Sequence, residues 1–466
     1  MGKEGLREIL EEITKHVLAE LSPERCLSRA VRLEGERLCA GPYRYDLRRF
    51  RRVLVVGFGK AAARMAQGLE EILAPRISAG FVATAEGYSV PTRIVEVAEA
   101  GHPLPDERTI RAAIRIGQMV RDAGEDDLLI VLVSGGGSAL FELPAAGLAL
   151  EDIVRTTNLL LRSGATIQEL NAVRKHLSQV KGGRLARLAW PAHVLGLVLS
   201  DVPGDDLSTI ASGPLYPDLT TFAQAVEILR RRGVWEEVPS AVRDYLSRGA
   251  EGGLPETPKP GDPWFSKVRH VIVGSGRTAL AAAQRLGHKM GFRALVLTST
   301  MRGEAREAGK FFAGLAEEER GFGRPVRPPA LLLAAGETTV TVRGKGLGGR
   351  NQELALAFAL EIQGLSGVAL LSLATDGRDG PTDAAGAIAD GGSCERMETA
   401  GIDPKEALLR NDSYRALSAS GDLLRIGPTG TNVADLVILA VERRHSAQGE
   451  KRSKPCGAAS GRGKTS

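Results

Sequence analysis

The sequence predicts an α/β fold with two domains, and three observations lead to this prediction. At 466 residues the chain is too long for one hydrophobic core. Short runs that are apolar throughout, such as 127–133, alternate with helical stretches, which is typical of parallel strands covered by helices on both faces. Residues 249–263 contain four Pro and four Gly, so we expect a linker there.

The first half opens with a helix and continues with alternating strands and helices. Apolar residues repeat at helical spacing over 3–21, at Leu6, Leu10, Ile13 and Val17. The predicted strands that follow are 52–57, 78–86, 127–133 and 194–199, with a helix over 61–73 after the first of them. We assign residues 1–248 to the N-terminal domain.

The same alternation resumes after the linker. Strands are predicted at 268–274, 294–298, 329–335 and 369–374, and helices at 278–289 and 304–315. We therefore predict a second, smaller α/β domain over residues 264–442.

The net charge depends on a short C-terminal tail. Residues 443–466 carry seven Lys and Arg and one acid, a net charge of +6, whereas the whole chain carries +5. This tail is poor in apolar residues and is predicted to be disordered. Because the rest of the chain carries about −1, we expect no nucleic-acid partner.

Nothing in the sequence predicts a membrane or secreted location. The longest apolar runs have six or seven residues, whereas a membrane-spanning helix needs about 20. The N-terminal segment mixes both charges and lacks the apolar core of a signal peptide. We therefore expect a cytoplasmic protein with no membrane partner.

A glycine-rich turn with a lysine follows the strand at 52–57. Gly57 and Gly59 would allow close approach of an anion, and Lys60 adds a charge suited to phosphate at the start of a helix. The turn also matches the GxGxxA pattern of dinucleotide-binding proteins, as does a second turn at Gly274. The acid that would bind a ribose, Glu86, lies 29 residues after Gly57 instead of about 20. The turn alone therefore leaves both interpretations open.

Three consecutive glycines flanked by serines follow the strand at 127–133. This segment consists of Ser134, Gly135, Gly136, Gly137 and Ser138. Ligands of open parallel sheets bind where strands lead into helices, and successive glycine N–H groups form anion-binding nests. We therefore expect phosphate binding here. The sequence contains no GxxxxGK[ST] motif, which excludes a P-loop kinase.

Acidic residues follow predicted strands in both halves. Asp201 and Asp205 follow the strand at 194–199, and Asp376 follows the strand at 369–374. Carboxylates without Cys or His partners suit Mg²⁺, and one carboxylate can accept a proton from a hydroxyl group. The four cysteines and seven histidines show no zinc-ligand spacing.

A basic, glycine-rich loop at 344–349 leads into a helix of Leu, Ala and Phe. Arg350 would lie in the first turn of this helix, where a cation gains nothing from the helix dipole. An arginine at such a position indicates an anionic partner, a carboxylate or a phosphate. Glycine nests, Lys60, Arg350 and free carboxylates are together the components that phosphoryl transfer needs.

Seven motifs together resemble the MOFRL-containing glycerate 2-kinase family over about residues 5–442. They are VVGFGKAA (55–62), SGGGSALFELP (134–144), LNAVRKHLSQVKGGRLA (170–186), LSDVPGDDLSTIASGP (199–214), GGRNQELALA (348–357), ATDGRDGPTDAAG (374–386) and GPTGTNVADL (427–436). The resemblance implies a Rossmann-like α/β/α sandwich, a smaller MOFRL-type domain and an active site in the cleft between them. It also implies phosphorylation of D-glycerate at the 2-hydroxyl with ATP and Mg²⁺.

The resemblance also assigns residues to the site. The implied catalytic residues are Lys60, Arg350 and Asp376; the implied ligand-binding residues are Gly57, Gly59, Ser134 to Ser138, Arg174, Lys181 and Asn351; and the implied metal ligands are Asp201 and Asp205. The chain departs from the family at 274–277, where Gly-Ser-Gly-Arg replaces a sequence that tends to contain Asn.

Two other functions remain as alternatives. Similar proteins are labelled hydroxypyruvate reductases, so NAD(P)H-dependent reduction of hydroxypyruvate is the second candidate. The position of Glu86, too far along the chain from Gly57 to bind a ribose in the usual way, disfavours this function. A regulator that responds to sugar acids would need a DNA-reading element, and only the tail is basic. We expect small molecules as the only partners of a monomer or homodimer.

Overall fold

Two helices and a small antiparallel sheet precede the first large sheet. A computed structural model describes residues 5–443. These first elements are α1 (Leu6–Glu20), α2 (Pro23–Ala30), β1 (Val31–Glu34), β2 (Arg37–Ala40) and β3 (Tyr43–Asp46). The predicted opening helix is confirmed, and its periodic apolar residues are buried. The predicted tail lies outside the described residues, except for Arg443.

The first large sheet has six parallel strands. They are β4 (Arg52–Phe58), β5 (Ala79–Ala85), β6 (Val95–Ala100), β7 (Asp127–Val133), β8 (His193–Leu199) and β9 (Val268–Gly274). Their spatial order is β6-β5-β4-β7-β8-β9, which is the order of doubly wound α/β sheets. The predicted parallel sheet is therefore confirmed, and the order reverses between β4 and β7.

Eight helices connect these strands within the described range. They are α3 (Ala62–Leu73), α4 (Glu107–Arg121), α5 (Gly137–Leu140), α6 (Leu150–Arg162), α7 (Ile167–His176), α8 (Arg184–Ala189), α9 (Phe222–Arg231) and α10 (Ser240–Ala250). Helices α4 and α8 cover one face of the sheet. Helices α6, α7, α9 and α10 pack into a separate helical group with its own apolar core.

The second sheet is mixed. Its strands are β10 (Arg293–Met301), β11 (Ala330–Gly336), β12 (Val368–Ala374), β13 (Gly386–Asp390), β14 (Leu423–Leu424) and β15 (Asp435–Val441). Their order is β10-β11-β15-β12-β13-β14; β10 and β11 are parallel, and the other neighbours are antiparallel. Its helices are α11 (Gly276–Lys289), α12 (Ala305–Phe322), α13 (Arg350–Glu361), α14 (Ser393–Thr399), α15 (Pro404–Leu409) and α16 (Ser413–Ala419).

The sheets divide the chain differently from the predicted partition. Strand β9 follows the predicted linker but pairs in parallel with β8, through Val194 and Val268, instead of opening the second sheet. Helix α1 in turn packs against α11, β12 and β15. Arg7 of α1 binds Asp390 and Asp422 beside the second sheet. The linker has no regular element over 251–262, as predicted, but it returns the chain to the first sheet.

One apolar core lies between the two large sheets. It includes side chains of α1, α3 and α11 together with the facing sides of both sheets. Strands β4, β7, β11 and β12 are buried along almost their whole length, which explains their continuous apolar runs. Between residues 5 and 443, no helix has the length and apolarity to cross a bilayer.

Candidate active site

Two loops meet at the C-terminal edge of the first sheet, after β4 and β7. Open α/β sheets bind ligands where the strand order reverses, as it does between these strands. The Lys60 N–H donates to the Gly135 carbonyl over 2.9 Å, and the Ala61 N–H donates to Ser134 Oγ over 3.0 Å. The predicted turn and the predicted nest therefore form one surface.

Gly57 and Gly59 allow the two loops to approach each other. Gly59 has a φ of +126°, and a Cβ there would lie 2.3 Å from Ser134 Oγ. A Cβ on Gly57 would lie 2.8 Å from Leu132 Cβ. Only glycine fits such contacts, so both residues shape the site through packing.

The segment Ser134–Ser138, which we call the glycine loop, leads into the short helix α5. Gly136 has a φ of +80°, and the Gly137 N–H donates to the Ser134 carbonyl. Ser138 Oγ lies 2.9 Å from Ser212 Oγ. A Cβ on Gly135 would lie 2.3 Å from Asp201 Oδ2, so the loop and this carboxylate are in direct contact.

Lys181 supports the glycine loop from inside the protein. Its side chain is fully buried, and its ammonium group donates to the carbonyls of Ser138 and Phe141 over 2.8 and 2.6 Å. Glu142 lies 3.3 Å away, and burial lowers the pKa of Lys181. The structure therefore places Lys181 beneath the loop and not in the cleft.

Arg174 belongs to the same buried charge cluster. Its guanidinium donates to Thr157 Oγ1 over 3.4 Å, between α7 and α6. Burial lowers the pKa of Arg174, and Glu142 opposes this effect. Because its hydrogen bond joins two helices, Arg174 is placed to stabilise the region behind the glycine loop.

Arg350 lies across the cleft at the first residue of α13, as the sequence predicts. The Arg350 guanidinium forms a bidentate salt bridge with the Asp435 carboxylate, with Nε–Oδ2 and Nη2–Oδ1 distances of 2.5 and 3.0 Å. Its Nη1 lies 2.6 Å from Glu337 Oε1. Burial opposes the charge of Arg350, but the contact with Asp435 raises its pKa above the ordinary value. The guanidinium is therefore fixed in place and always charged.

Polar contacts connect the edges of the two sheets. Lys60 Nζ, after β4, lies 3.8 Å from Asp376 Oδ2, after β12. Asn432, in the loop before β15, donates to Asp201 Oδ2 over 3.3 Å. The C-terminal ends of β4, β8 and β12 thus meet in one cleft.

Asp201 lies among the charged groups of this cleft. Burial raises the pKa of its carboxyl group above the ordinary range, Lys60 and Arg350 oppose the shift, and Asp376 adds to it. Lys60 and Arg350 therefore both act on the Asp201 carboxylate.

Asn351 lies at the base of α13 and is buried. Its amide donates to Asp379 Oδ1 over 3.3 Å, and its side-chain oxygen accepts from Ser372 Oγ over 2.7 Å. Asp379 also accepts the Asn351 and Gln352 N–H groups, and burial raises its pKa to about 6. The Asn351 side chain is thus used within the domain and holds the start of α13.

The predicted metal ligands Asp201 and Asp205 do not form a preformed metal site. Asp205 has a φ of +59°, and its carboxylate lies 3.9 Å from Arg277 Nε of α11. Within residues 5–443, no three His, Cys, Asp or Glu side chains are grouped so as to hold a metal ion.

The site residues that were not among the sequence predictions include His102, Glu337 and Asp435. Glu337 directly follows β11, so its position at a strand end was a usable signal. His102 follows β6, a strand that was not predicted because it contains two acidic residues. Asp435 lies within the GPTGTNVADL motif, but sequence alone does not show that it pairs with Arg350.

The cleft contains more carboxylates than cations. Asp201, Glu337, Asp376 and Asp435 surround Lys60 and Arg350. Burial raises the pKa of Glu337 and of Asp435 above the ordinary range. An anionic ligand entering this cleft would therefore need additional positive charge.

Comparisons with known proteins identify relatives of the whole chain. Residues 9–247 match the family model described as a domain of unknown function, DUF4147, and residues 330–435 match the MOFRL family. A D-glycerate 2-kinase of Thermotoga maritima is 44% identical over 93% of this chain and 98% of its own length.

A solved structure and a protein with a different name are also similar to this chain. The crystal structure of the Thermotoga maritima glycerate kinase matches with a TM-score of 0.82 and 43% identity, over 94% of this chain and 99% of that one. A protein of Agrobacterium vitis that carries a hydroxypyruvate reductase name is 46% identical over 83% of this chain and 98% of its own.

Proposed function

The chain belongs to the family of glycerate kinases that combines a DUF4147 domain with a MOFRL domain, and from this premise we propose that it is a D-glycerate 2-kinase. The reaction transfers the γ-phosphoryl group of ATP to the 2-hydroxyl of D-glycerate and gives 2-phosphoglycerate and ADP. The observation that carries the proposal is the meeting of Lys60 and Asp376, from the two sheets, beside the glycine loop.

Residues on both sides of the cleft contribute to phosphoryl transfer. The N–H groups of the glycine loop bind nucleotide phosphates at the point where the strand order reverses. Lys60 and Arg350 neutralise the substrate carboxylate and the charge on the migrating phosphoryl group. Arg350 suits this task because Asp435 holds its planar group in one orientation.

Asp376 accepts the proton of the 2-hydroxyl in the proposed reaction. In this step the hydroxyl oxygen forms a bond to the γ-phosphorus, the bond from that phosphorus to the β–γ bridging oxygen breaks, and ADP leaves with the electron pair. The Asp376 carboxylate is only partly buried, at 23% side-chain exposure, and can face a substrate.

The donor chemistry of the cleft fits Mg²⁺. Mg²⁺ is commonly bound by one or two carboxylates together with substrate phosphates, so a preformed cage of protein ligands is not required. Asp201 is the carboxylate that would hold it, whereas Asp205 is turned toward Arg277. When bound with ATP, the ion would supply the positive charge that neutralises phosphate oxygens. The excess of acids around Lys60 and Arg350 supports this proposal.

Lys181, Arg174 and Asn351 act indirectly in this scheme. Lys181 fixes the carbonyl groups at the end of the glycine loop, and Asn351 fixes the start of α13. We propose that they position the loop and Arg350 without touching the ligand.

The cleft between the two sheets is also suited to closure on its ligands. Two contacts across it, Lys60–Asp376 and Asn432–Asp201, are single polar contacts at 3.8 and 3.3 Å that ligand binding could rearrange. Small-angle scattering with D-glycerate and a Mg–ATP analogue should give a smaller radius of gyration than the free protein. Identical profiles would contradict closure.

Hydroxypyruvate reduction is the alternative function. A dinucleotide would need an acid for its ribose near the turn after β4, but Glu86 is exposed and pairs with Arg108. Hydride transfer does not require the glycine loop or the several carboxylates of the cleft.

One experiment separates the two functions. The protein is incubated with ATP, Mg²⁺ and D-glycerate, and the product is identified by phosphorus NMR; a parallel sample with hydroxypyruvate is followed by NADH absorbance. We expect 2-phosphoglycerate and constant NADH. Oxidation of NADH without a phosphorylated product would overturn the kinase proposal, and 3-phosphoglycerate would overturn the assignment of the 2-hydroxyl.

A further inference from the structure

His102 lies at the edge of the cleft, directly beside the glycine loop. It follows β6, the edge strand of the first sheet, and precedes α4. A Cβ built on Gly136 would lie 2.9 Å from His102 Nε2 and 3.4 Å from Lys60 Cγ. The imidazole and the stem of Lys60 thus flank the same point of the loop from two different strands.

The His102 imidazole is partly buried and makes no side-chain hydrogen bond among the described residues. Burial and the charge of Lys60 hold the pKa of His102 at about 4, and no hydrogen bond contributes to the shift. At neutral pH the ring is uncharged and carries one N–H donor. Within residues 5–443 no hydrogen bond joins a ring nitrogen of His102 to another residue, so its N–H, beside Lys60 and the left-handed Gly136, is available to an oxygen acceptor.

We propose that His102 is a phosphate-binding residue of this cleft, and that its imidazole N–H donates to an oxygen of the nucleotide phosphate held by the glycine loop. The inference rests on the proposed function only in taking ATP as the nucleotide. It is favoured over contact with the D-glycerate carboxylate because His102 and Gly136 lie on the first sheet, whereas Arg350 and Asp376 lie on the second.

Three variants of the full-length protein test this role. His102→Phe keeps a planar ring but removes the donor, and His102→Gln keeps an N–H donor of similar reach. His288→Gln, on the exposed surface of α11, is the matched control. Binding of a non-hydrolysable Mg–ATP analogue is measured by calorimetry without glycerate, and turnover gives KM for ATP and for D-glycerate separately.

We expect His102→Phe to weaken analogue binding and to raise KM for ATP about tenfold, because a hydrogen bond to a charged group is lost. KM for D-glycerate should stay within twofold, His102→Gln should recover most of the affinity, and the control should match the unmodified protein. Thermal melting of each variant shows whether it is folded.

Other results with the His102 variants would refute specific parts of this proposal. Analogue binding by His102→Phe within twofold of the unmodified protein refutes the phosphate contact. A change in KM for D-glycerate alone refutes the assignment to the nucleotide, and equal losses in His102→Phe and His102→Gln indicate a purely structural role. If the unmodified protein binds the analogue but phosphorylates nothing, the proposed function fails while the inference on His102 can still be judged by binding.

Discussion

The ammonium group of Lys60 lies 3.8 Å from a carboxylate oxygen of Asp376, and these residues follow strands of two different sheets. Both side chains are partly exposed, at 22 and 23%. An ion pair of this length and exposure contributes little to stability, about 1 kcal/mol at most. Its significance is that it places a cation and a candidate base together at a cleft, where a ligand can separate them.

Replacing Lys60 by Ala should therefore affect catalysis far more than folding. We expect kcat/KM for D-glycerate phosphorylation to fall by about 10²–10³, since a charge that stabilises the transition state is lost. Steady-state kinetics and thermal melting measure the two effects. Lys15→Ala, at an exposed position of α1, is the control and should keep full activity. Activity within threefold of the unmodified protein would refute the role of Lys60.

The sequence predicts the first sheet well because its central strands are buried on both faces. Runs such as 127–133 are apolar at almost every position, so composition alone locates them. Strand β6, VEVAEA, was not predicted because its two acidic residues interrupt the apolar run. They are tolerated because β6 lies at the sheet edge, where acids can face solvent. The sheet to which β9 belongs could not be predicted, because the sequence of a strand does not specify which other strand it pairs with.

The site was predictable in position but not in the direction of its side chains. Lys60, the glycine loop, Asp201 and Asp376 were predicted because they follow strands. The structure brings them together. Lys181 and Asn351 were also assigned to the site from their motifs, but their side chains are buried within the protein. Burial of a polar side chain depends on contacts made by distant segments, which local patterns do not encode.

Arg350 offers a test that separates stability from function. Arg350→Ala would leave the Asp435 carboxylate buried and unpaired, which should destabilise the protein by about 3–5 kcal/mol. The double variant Arg350→Ala/Asp435→Asn removes that charge as well. We expect the double variant to recover much of the lost stability, measured by urea unfolding, but to remain at least about 100-fold less active.

Two outcomes would contradict this account of Arg350. Recovery of activity along with stability would show that the guanidinium only balances Asp435. Equal stability of the single and double variants would show that the pair with Asp435 is not what makes Arg350→Ala unstable.

Gly59 and Gly87 form a matched pair for testing the contact between the two loops. Both have a positive φ, +126° and +79°, but a Cβ on Gly87 meets no atom within 4 Å. Gly87→Ala should therefore cost only the strain of the left-handed backbone, about 1–2 kcal/mol. Gly59→Ala should cost several times more and abolish activity, because its Cβ would overlap Ser134. Thermal melting and turnover of both variants provide the comparison, and similar melting temperatures would refute the steric argument.

The stability of the protein should fall as the pH drops from about 6.5 to 4, partly because of His270. Burial between β8 and Tyr216 lowers the pKa of His270 to about 4, whereas an unfolded histidine titrates near 6.5. Between these values the unfolded chain binds a proton that the folded chain does not, so acid favours unfolding. Below pH 4 both states are protonated, and this contribution no longer changes.

The histidine's share of this acid sensitivity can be isolated with His270→Phe, which keeps a ring but cannot titrate. Its melting temperature should decline less between pH 7 and pH 4.5 than that of the unmodified protein, while His288→Gln should follow the unmodified protein. Asp379, whose pKa is raised to about 6, acts in the opposite direction over part of this range, but it is common to all three proteins and cancels in the comparison. If His270→Phe and the unmodified protein lose the same number of degrees, the buried imidazole is not the group that makes the fold sensitive to acid.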